Sequence, residues 1–594
     1  MTTPIQLEAD VVILGATPGG IAAAVSAAER GRTVLLLERS AHIGGLPANG
    51  LGATDIATRG ATGGFFTLFT TSIKAHYAAR YGADSQQVAD CDSGIFFEAS
   101  VAESVLQTIL AGQPRIRQLL HRQFDAHPDN VEKDGARLTG ITITDLTTGA
   151  TERVRGRVFI DATYEGDLAD AAGAPYRLGR EDQREFNEPM AGRIYKPWHG
   201  EIAEGTSGRG DNAVQSYNYR LPLTMDATRR VPFLKPASYR REDYLSLIDD
   251  LKLNRNTGAT GTVPNELHWD GIGRVVNIVE LPNNKTDSNN QHRAFLSTDL
   301  PEENWPWPSA NWEWRDRYAQ RLRDYTLGLL WFCQNDPELP EDFRRRCAPW
   351  GLAADEYQDN GNFPRQVYVR EGRRIVGEHI FTAHDALPVS AGERPPVHVD
   401  CITASHYALD SHATRKRETG RLHLEGFFSH RAAPYTVPYR VITPLDVEGL
   451  LVPVAASATH VGFSTLRMEP CWMALGEAAG IAAALALETG VAVRKVSLSS
   501  LQRALLKRNA VLLYFKDLTV SHPAAPAFQL LGLQGLVTGW FARPDEPVTA
   551  GEVSSWSQAL GVGESAAFKP GQTRGDFLAE LWASATGATP VLAN

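Results

Sequence analysis

The chain has 594 residues, room for about two to four domains, and its 43% hydrophobic and 22% charged residues match an ordinary globular protein. A formal net charge of -10 argues against nucleic acid and anionic membrane surfaces as partners. Five scattered cysteines with no CxxC pair suggest neither a disulfide framework nor a zinc knuckle and fit a reducing compartment.

Met1 to Glu8 lacks the basic and apolar parts of a signal peptide, so a cytoplasmic location is expected. The apolar run Val11 to Leu14 predicts a buried parallel strand. The turn Gly15-Ala16-Thr17-Pro18-Gly19-Gly20 follows, then a helix of small residues from Ile21 to Arg30, closed by Gly31. A second strand, Thr33 to Leu37, ends in Glu38, an acid 23 positions after the first glycine. This layout matches the dinucleotide-binding fingerprint. Gly15 allows the tight turn, Gly20 lets the helix pack close to the sheet, and the helix start favours a pyrophosphate. Glu38 is placed to accept hydrogen bonds from a ribose. Thr17 stands where the middle glycine is usual, with Gly19 restoring room for the phosphate.

Glycine is dense from residue 44 to 64, as expected of a backbone that closely approaches a flat ligand. Ser100 to Leu110 reads as an amphipathic helix. Residues 114–160 read as a small β-meander leading into a buried strand, Arg157 to Thr163. The first part of the cofactor domain is thus assigned to residues 1–184. Residues 185–365 change character: eight of the twelve tryptophans lie there, from Trp198 to Trp350, and helical periodicity runs from Trp314 to Cys333. This region reads as an inserted substrate domain. Its tryptophans fit stacking on a sugar or aromatic ligand, or filling a mixed core.

Residues 366–445 read as a mixed segment returning to the interface between substrate and cofactor. Arg370-Glu371-Gly372-Arg373-Arg374 is a charged patch suited to an anion clamp or to a surface or interdomain ion-pair network. His406, Asp410, His412, Tyr435 and Tyr439 follow in strand-like sequence. The cofactor domain closes over residues 446–495, with a buried strand at Leu450, a loop carrying His460 and Arg467, and an Ala/Gly helix from Met473 to Leu487. That apolar stretch is too short to span a bilayer and contains Glu477, so no membrane span is expected. Residues 496–594 read as a mostly helical extension in which no chemistry stands out.

Together these motifs resemble the FAD-dependent oxidoreductases of the glutathione-reductase-like class, in the large bacterial branch with an inserted domain. The resemblance covers roughly residues 8–490. It rests on Gly15 to Gly20, Ile43-Gly44-Gly45, Asp161-Ala162-Thr163-Tyr164-Glu165-Gly166-Asp167-Leu168, Ala172 to Tyr176, Tyr217-Asn218-Tyr219-Arg220, Arg370 to Arg374, and Ser457 to Gly480. It implies an α/β fold: a Rossmann-like FAD-binding domain of three-layer β/β/α type, an inserted α+β substrate domain and the helical extension. It also implies FAD as cofactor. Gly15, Thr17, Pro18, Gly19, Gly20, Glu38 and Arg39 would bind the ADP half. Gly44 and Gly45 would approach the pyrophosphate and ribityl chain, and Asp161, Ala162 and Thr163 would close the adenine side. The helix beginning near Met473, with Gly476, would point toward the flavin pyrimidine edge.

The expected reaction is hydride removal from a small polar substrate, such as a sugar, polyol or hydroxy acid, to flavin N5. The electron acceptor is O2, a quinone or a protein. His460 is the expected base, Arg467 orients the substrate, and His412 and Tyr439 are further candidates. Two other readings stay open: an FAD-dependent monooxygenase using NAD(P)H and O2, and a non-catalytic small-molecule or carbohydrate-binding protein. The lack of a second glycine fingerprint favours a dehydrogenase or oxidase over a monooxygenase.

Overall fold

The computed structural model describes residues 5–197, 200–256, 270–562, 569 and 571–586; Trp198 and Trp269 lie outside the described residues. Its organising element is a mixed sheet. Strand β1 (Ile5–Leu14) is flanked by β2 (Val34–Leu37), and β2 by β3 (Ile116–Leu119), all parallel. Two short strands, β4 (Arg122–Gln123) and β5 (Val131–Asp134), and a longer one, β6 (Arg137–Asp145), form the meander with β7 (Thr151–Asp161).

β7 belongs to both layers. It runs parallel to β1 along its length, while Thr151–Arg155 pairs antiparallel with β6 on the other edge. Farther along that edge, Phe159 and Ile160 pair with the strand Leu450–Leu451 in parallel. β1 starts six residues before Val11 for the same reason: Ile5 to Ala9 pair with Glu152 to Gly156.

Both faces of β1 are buried, which explains its uninterrupted apolar end. Val11 and Ile13 face a core shared with helix α1 (Pro18–Glu29), while Val12 and Leu14 join Leu138, Ile141 and Phe159 on the meander side. α1 starts three residues earlier than expected because Thr17 caps it and Pro18 sits in its first turn, where no amide is needed.

The helix expected from Met473 to Leu487 runs instead over Glu469–Thr489, 21 residues, with Pro470 in its first turn. By length and composition alone it could cross a bilayer, but 94% of its apolar window is buried. What buries it is α1. Gly476 and Gly480 back onto the carbonyls of Gly19 and Ala23, where a Cβ would come within 1.9 and 2.2 Å.

Residues 185–365 carry the 24-residue helix Trp312–Asn335, capped by Asn311. The C-terminal extension carries helices Leu498–Leu506, Ala525–Leu533, Ala550–Leu560 and Arg574–Thr586. One apolar core runs without a break from Val11 through Leu329 to Leu581. Apart from Gly60, the glycines between 50 and 64 approach protein rather than open space: a Cβ at Gly50 would lie 1.9 Å from the Arg220 carbonyl oxygen, and one at Gly63 2.3 Å from that of Asn509.

Candidate active site

The turn after β1 opens onto a cleft enclosing about 980 Å³, mouth included, lined among others by Gly15, Thr17, Glu38, Arg39, Thr163 and Trp312. Gly15 has φ +94, and a Cβ there would sit 2.9 Å from the Ala162 carbonyl oxygen, so the turn admits only glycine. Thr17 turns its hydroxyl into the protein. Its hydroxyl donates to the Ala162 carbonyl (2.8 Å) and accepts from the Gly20 amide (3.1 Å). A threonine at the middle position therefore ties α1 to the end of β7 and caps the helix in one stroke.

Glu38 accepts the Ala16 amide on one oxygen and the Ser40 amide on the other, each at 2.9 Å. Burial raises its pKa against these hydrogen bonds. Arg39 is held by Gln123 (3.0 Å) and Asp316 (2.7 Å), with its guanidinium 4.1 Å from the centre of the Trp312 ring. Trp307 and Trp312 line this cleft, while Trp350 is packed in the core.

Several expected contacts fall elsewhere. Asp161 is fully buried and spends its oxygens on Thr163 (2.7 Å), Leu168 (2.9 Å) and Ala169 (3.0 Å), holding the start of the short helix Asp167–Ala171. Burial pushes it up to about 6. Ala162 serves through its carbonyl, and only Thr163 of the three reaches the cleft. Gly45 faces the Tyr164 hydroxyl, which a Cβ would approach to 2.3 Å, and the Gly44 amide donates to Ala16 (2.8 Å). Gly19 faces the Trp472 carbonyl, and Gly476 faces Gly19, so Gly476 sets the distance between the two helices.

A second constellation lies where helix His460–Leu466 leads through Arg467 into helix Glu469–Thr489. It gathers around the strand Leu409–Ser411, whose alternation sends neighbouring side chains to opposite sides. On one side, Ser411 Oγ lies 3.1 Å from His460 Nε2, while His460 Nδ1 is 2.8 Å from Glu371. Both ring nitrogens of His460 are thus engaged.

On the other side stand Asp410 and His412. Arg467 donates to the Asp410 carbonyl (3.0 Å) and the Tyr368 hydroxyl (3.0 Å), and its guanidinium is 3.5 Å from the Asp410 carboxylate. His412 Nδ1 is 3.0 Å from Asp299, which also pairs with Arg370 at 2.8 Å. Burial and the charge of Arg370 push His412 down to about 3, so it is neutral at physiological pH. Burial pushes Asp410 up to about 6 against the pull of Arg467 and Arg370. The structure therefore brings His460, Arg467 and His412 together and adds Asp410. Tyr439 lies apart: it is buried and its hydroxyl donates to the Val493 carbonyl (2.8 Å).

The Arg370–Arg374 patch is not at the surface. Arg370, Glu371, Arg373 and Arg374 are all buried, paired with Asp299, His460, Asp167 and Glu181. Buried polar atoms without a hydrogen-bond partner here include Asp410 Oδ1, Glu371 Oε1, Arg467 Nε, Arg370 Nε, Glu469 Oε2 and Trp472 Nε1. Glu469 accepts from Tyr164 (2.6 Å), and burial pushes it up to about 8. Another cleft, enclosing about 1070 Å³, reaches Asp299 from outside past Phe295, Arg417 and Phe427.

A glycine turn between a parallel strand and a helix start, an acid closing the next strand, and unsatisfied polar groups deep in the fold fit a flavin dinucleotide. They define a flavin-dependent redox enzyme. The chain belongs to the FAD dependent oxidoreductase family, whose model matches residues 10–505. A search of curated proteins finds no significant match.

Solved structures match in part. The 3-ketosteroid-Δ4-(5α)-dehydrogenase from Rhodococcus jostii RHA1 is 18% identical over 30% of this chain and 51% of its own, with a TM-score of 0.18. The glycerol-3-phosphate dehydrogenase from Bacillus halodurans, complexed with FAD, is 11% identical over 33% and 44%, with a TM-score of 0.21. The OxyS anhydrotetracycline hydroxylase from Streptomyces rimosus is 14% identical over 30% and 38%, with a TM-score of 0.20. The matched part is thus about half or less of each of these proteins.

Proposed function

We propose that this FAD-dependent oxidoreductase is a dehydrogenase or oxidase of the glutathione-reductase type, with an inserted substrate region, acting on a small polar substrate such as a sugar, polyol or hydroxy acid. The observation that carries this reading is Asp410, a buried carboxylate with a free oxygen and a pKa of about 6, set against Arg467 and beside a neutral histidine. A base that titrates near neutrality suits removal of a hydroxyl proton. FAD, when bound, supplies the electron sink that accepts the substrate hydride at N5.

Glu38 and the turn from Gly15 to Gly20 would hold the ADP half, with Glu38 turning from the Ala16 and Ser40 amides toward ribose hydroxyls. Arg467 and Arg370 orient the polar substrate. Asp410 takes the hydroxyl proton as the C–H bond gives up its hydride, leaving a carbonyl. His412, held by Asp299 through Nδ1, keeps its neutral ring 4.0 Å from Asp410 and adds no competing positive charge there. His460, pinned between Glu371 and Ser411, positions the strand that carries Asp410. The same reading places the protein in the cytoplasm, acting without nucleic acid and passing electrons to O2, a quinone or a protein.

The test is anaerobic mixing of the yellow protein with polyols, sugars and hydroxy acids. Bleaching by one class, lost in Asp410→Asn but only slowed in His460→Ala with flavin content intact, supports the assignment. Absence of bleaching together with NAD(P)H-dependent oxygen uptake would replace it with a monooxygenase.

A further inference from the structure

Three side chains outside the flavin site converge on one point. His379 Nε2 lies 3.2 Å from Asp385 Oδ1, and His398 Nε2 lies 2.9 Å from the same oxygen. All three ligand-type atoms fall within 4.8 Å of one another. The imidazole rings meet edge to face, with centroids 5.0 Å apart at 68°, so both aim a nitrogen at one spot instead of stacking.

We propose that His379, Asp385 and His398 form a structural binding site for a divalent cation of the zinc class, with water as fourth ligand. Tetrahedral zinc with bonds of about 2.0–2.1 Å spaces its ligand atoms by ~3.3 Å, close to the two separations seen here. Two neutral imidazoles and one carboxylate carry a net charge of -1. This donor set suits zinc and its neighbours and is wrong for calcium or magnesium, which take oxygen.

The carboxylate is already aimed. Its other oxygen accepts the Thr382 amide (2.7 Å) and hydroxyl (3.0 Å) in a capping box, so Oδ1 stays toward the histidines. Thr436 Oγ1 accepts the His398 amide at 3.0 Å and fixes the third ligand from a neighbouring strand. The His379 and His398 side chains remain 23% and 13% exposed, so a hydrated ion can reach them.

The place explains the use. Phe381, two residues past His379, pairs with Ala458, and its carbonyl accepts the Thr459 amide at 2.9 Å. A metal here would fasten the segment that backs helix His460–Leu466 without touching the flavin.

The test uses tag-free, FAD-loaded protein, stripped with a chelator and titrated with Zn²⁺ by calorimetry, with elemental analysis after dialysis. One equivalent of zinc should bind, raise the thermal midpoint and leave the flavin spectrum unchanged, while Ca²⁺ and Mg²⁺ should not bind. His398→Ala and Asp385→Asn should each weaken zinc at least ~100-fold, since losing even a supporting group of a metal ligand costs about 10–100-fold. Should His398→Ala lose its flavin through misfolding, His379→Gln gives the same reading. Wild-type protein that keeps no zinc, or zinc binding that survives all three substitutions, would overturn the site and leave a hydrogen-bonded knot.

Discussion

Gly476→Ala probes the joint between α1 and helix Glu469–Thr489. The added Cβ would lie 1.9 Å from the Gly19 carbonyl oxygen and 2.6 Å from its carbon. Ordinary contact begins near 3.4 Å, so the helices must part by about 1.5 Å. Rotation gives no relief, because Gly480 meets the Ala23 carbonyl on the same face. Both helices are buried along this seam, and a gap of that size forfeits much of their dispersion contact. The expected cost is ~3 kcal/mol, the upper range for overpacking, offset by ~1 kcal/mol from the better helix propensity of alanine. Because Gly19 belongs to the phosphate turn, FAD retention should fall with stability. Gly551→Ala is the control: it sits in a helix with nothing within 4 Å of its Cβ and should stabilise by ~0.4–1 kcal/mol. Thermal unfolding followed by flavin fluorescence, with flavin content after gel filtration, reads both. If Gly476→Ala keeps the wild-type midpoint and flavin content, the close packing does not govern the turn.

Glu38→Ala should raise the FAD dissociation constant by ~10–100-fold, the worth of charge-assisted hydrogen bonds at about 1.5–3 kcal/mol, measured by titrating stripped protein with FAD. The rate of flavin reduction should rise with pH through an inflection near 6, since Asp410 must be ionised to accept a proton, and Asp410→Asn should abolish that inflection. Glu469 bears on stability in the opposite sense to a salt-bridged acid. Its folded pKa of about 8 exceeds the ordinary 4.5, so the folded state binds the extra proton and loses stability as pH rises between those values. Denaturant midpoints of wild type and Glu469→Gln should therefore diverge across that window, with the wild type falling.

The nucleotide end of the site was legible because its signals are local. Strand, turn, helix and acid follow one another within the first 38 residues, and even the capping role of Thr17 lies within a few positions of Gly20. The catalytic end was less so, because its chemistry comes from distant parts of the chain. Asp410 looks like any strand-end acid until Arg467, Arg370 and Asp299 surround it. The Arg370–Arg374 patch read equally as clamp or surface network, since its partners Asp167, Glu181 and Asp299 lie 71 or more positions away. The packing of Gly476 against Gly19 was not legible because a small residue on a buried helix admits a ligand or a second helix equally well.

Arg508 gives the C-terminal extension a bearing on how far this protein can be cut. Its guanidinium pairs with Glu29 at the end of α1 and, at 2.5 Å, with buried Glu477 in the long core helix. A few residues on, the Val511 carbonyl accepts the Ala404 amide, and the Leu512 carbonyl faces the Cys401 thiol. The family match stops at residue 505, three residues short of that cation. A fragment trimmed to the matched segment would leave Glu477 buried with its counter-ion gone and bare the seam of the two helices that shape the phosphate turn. Contacts that brace the two helices therefore continue past the matched segment, and in a truncation series flavin retention should drop once Arg508 to Leu512 are removed, before residue 505 is reached.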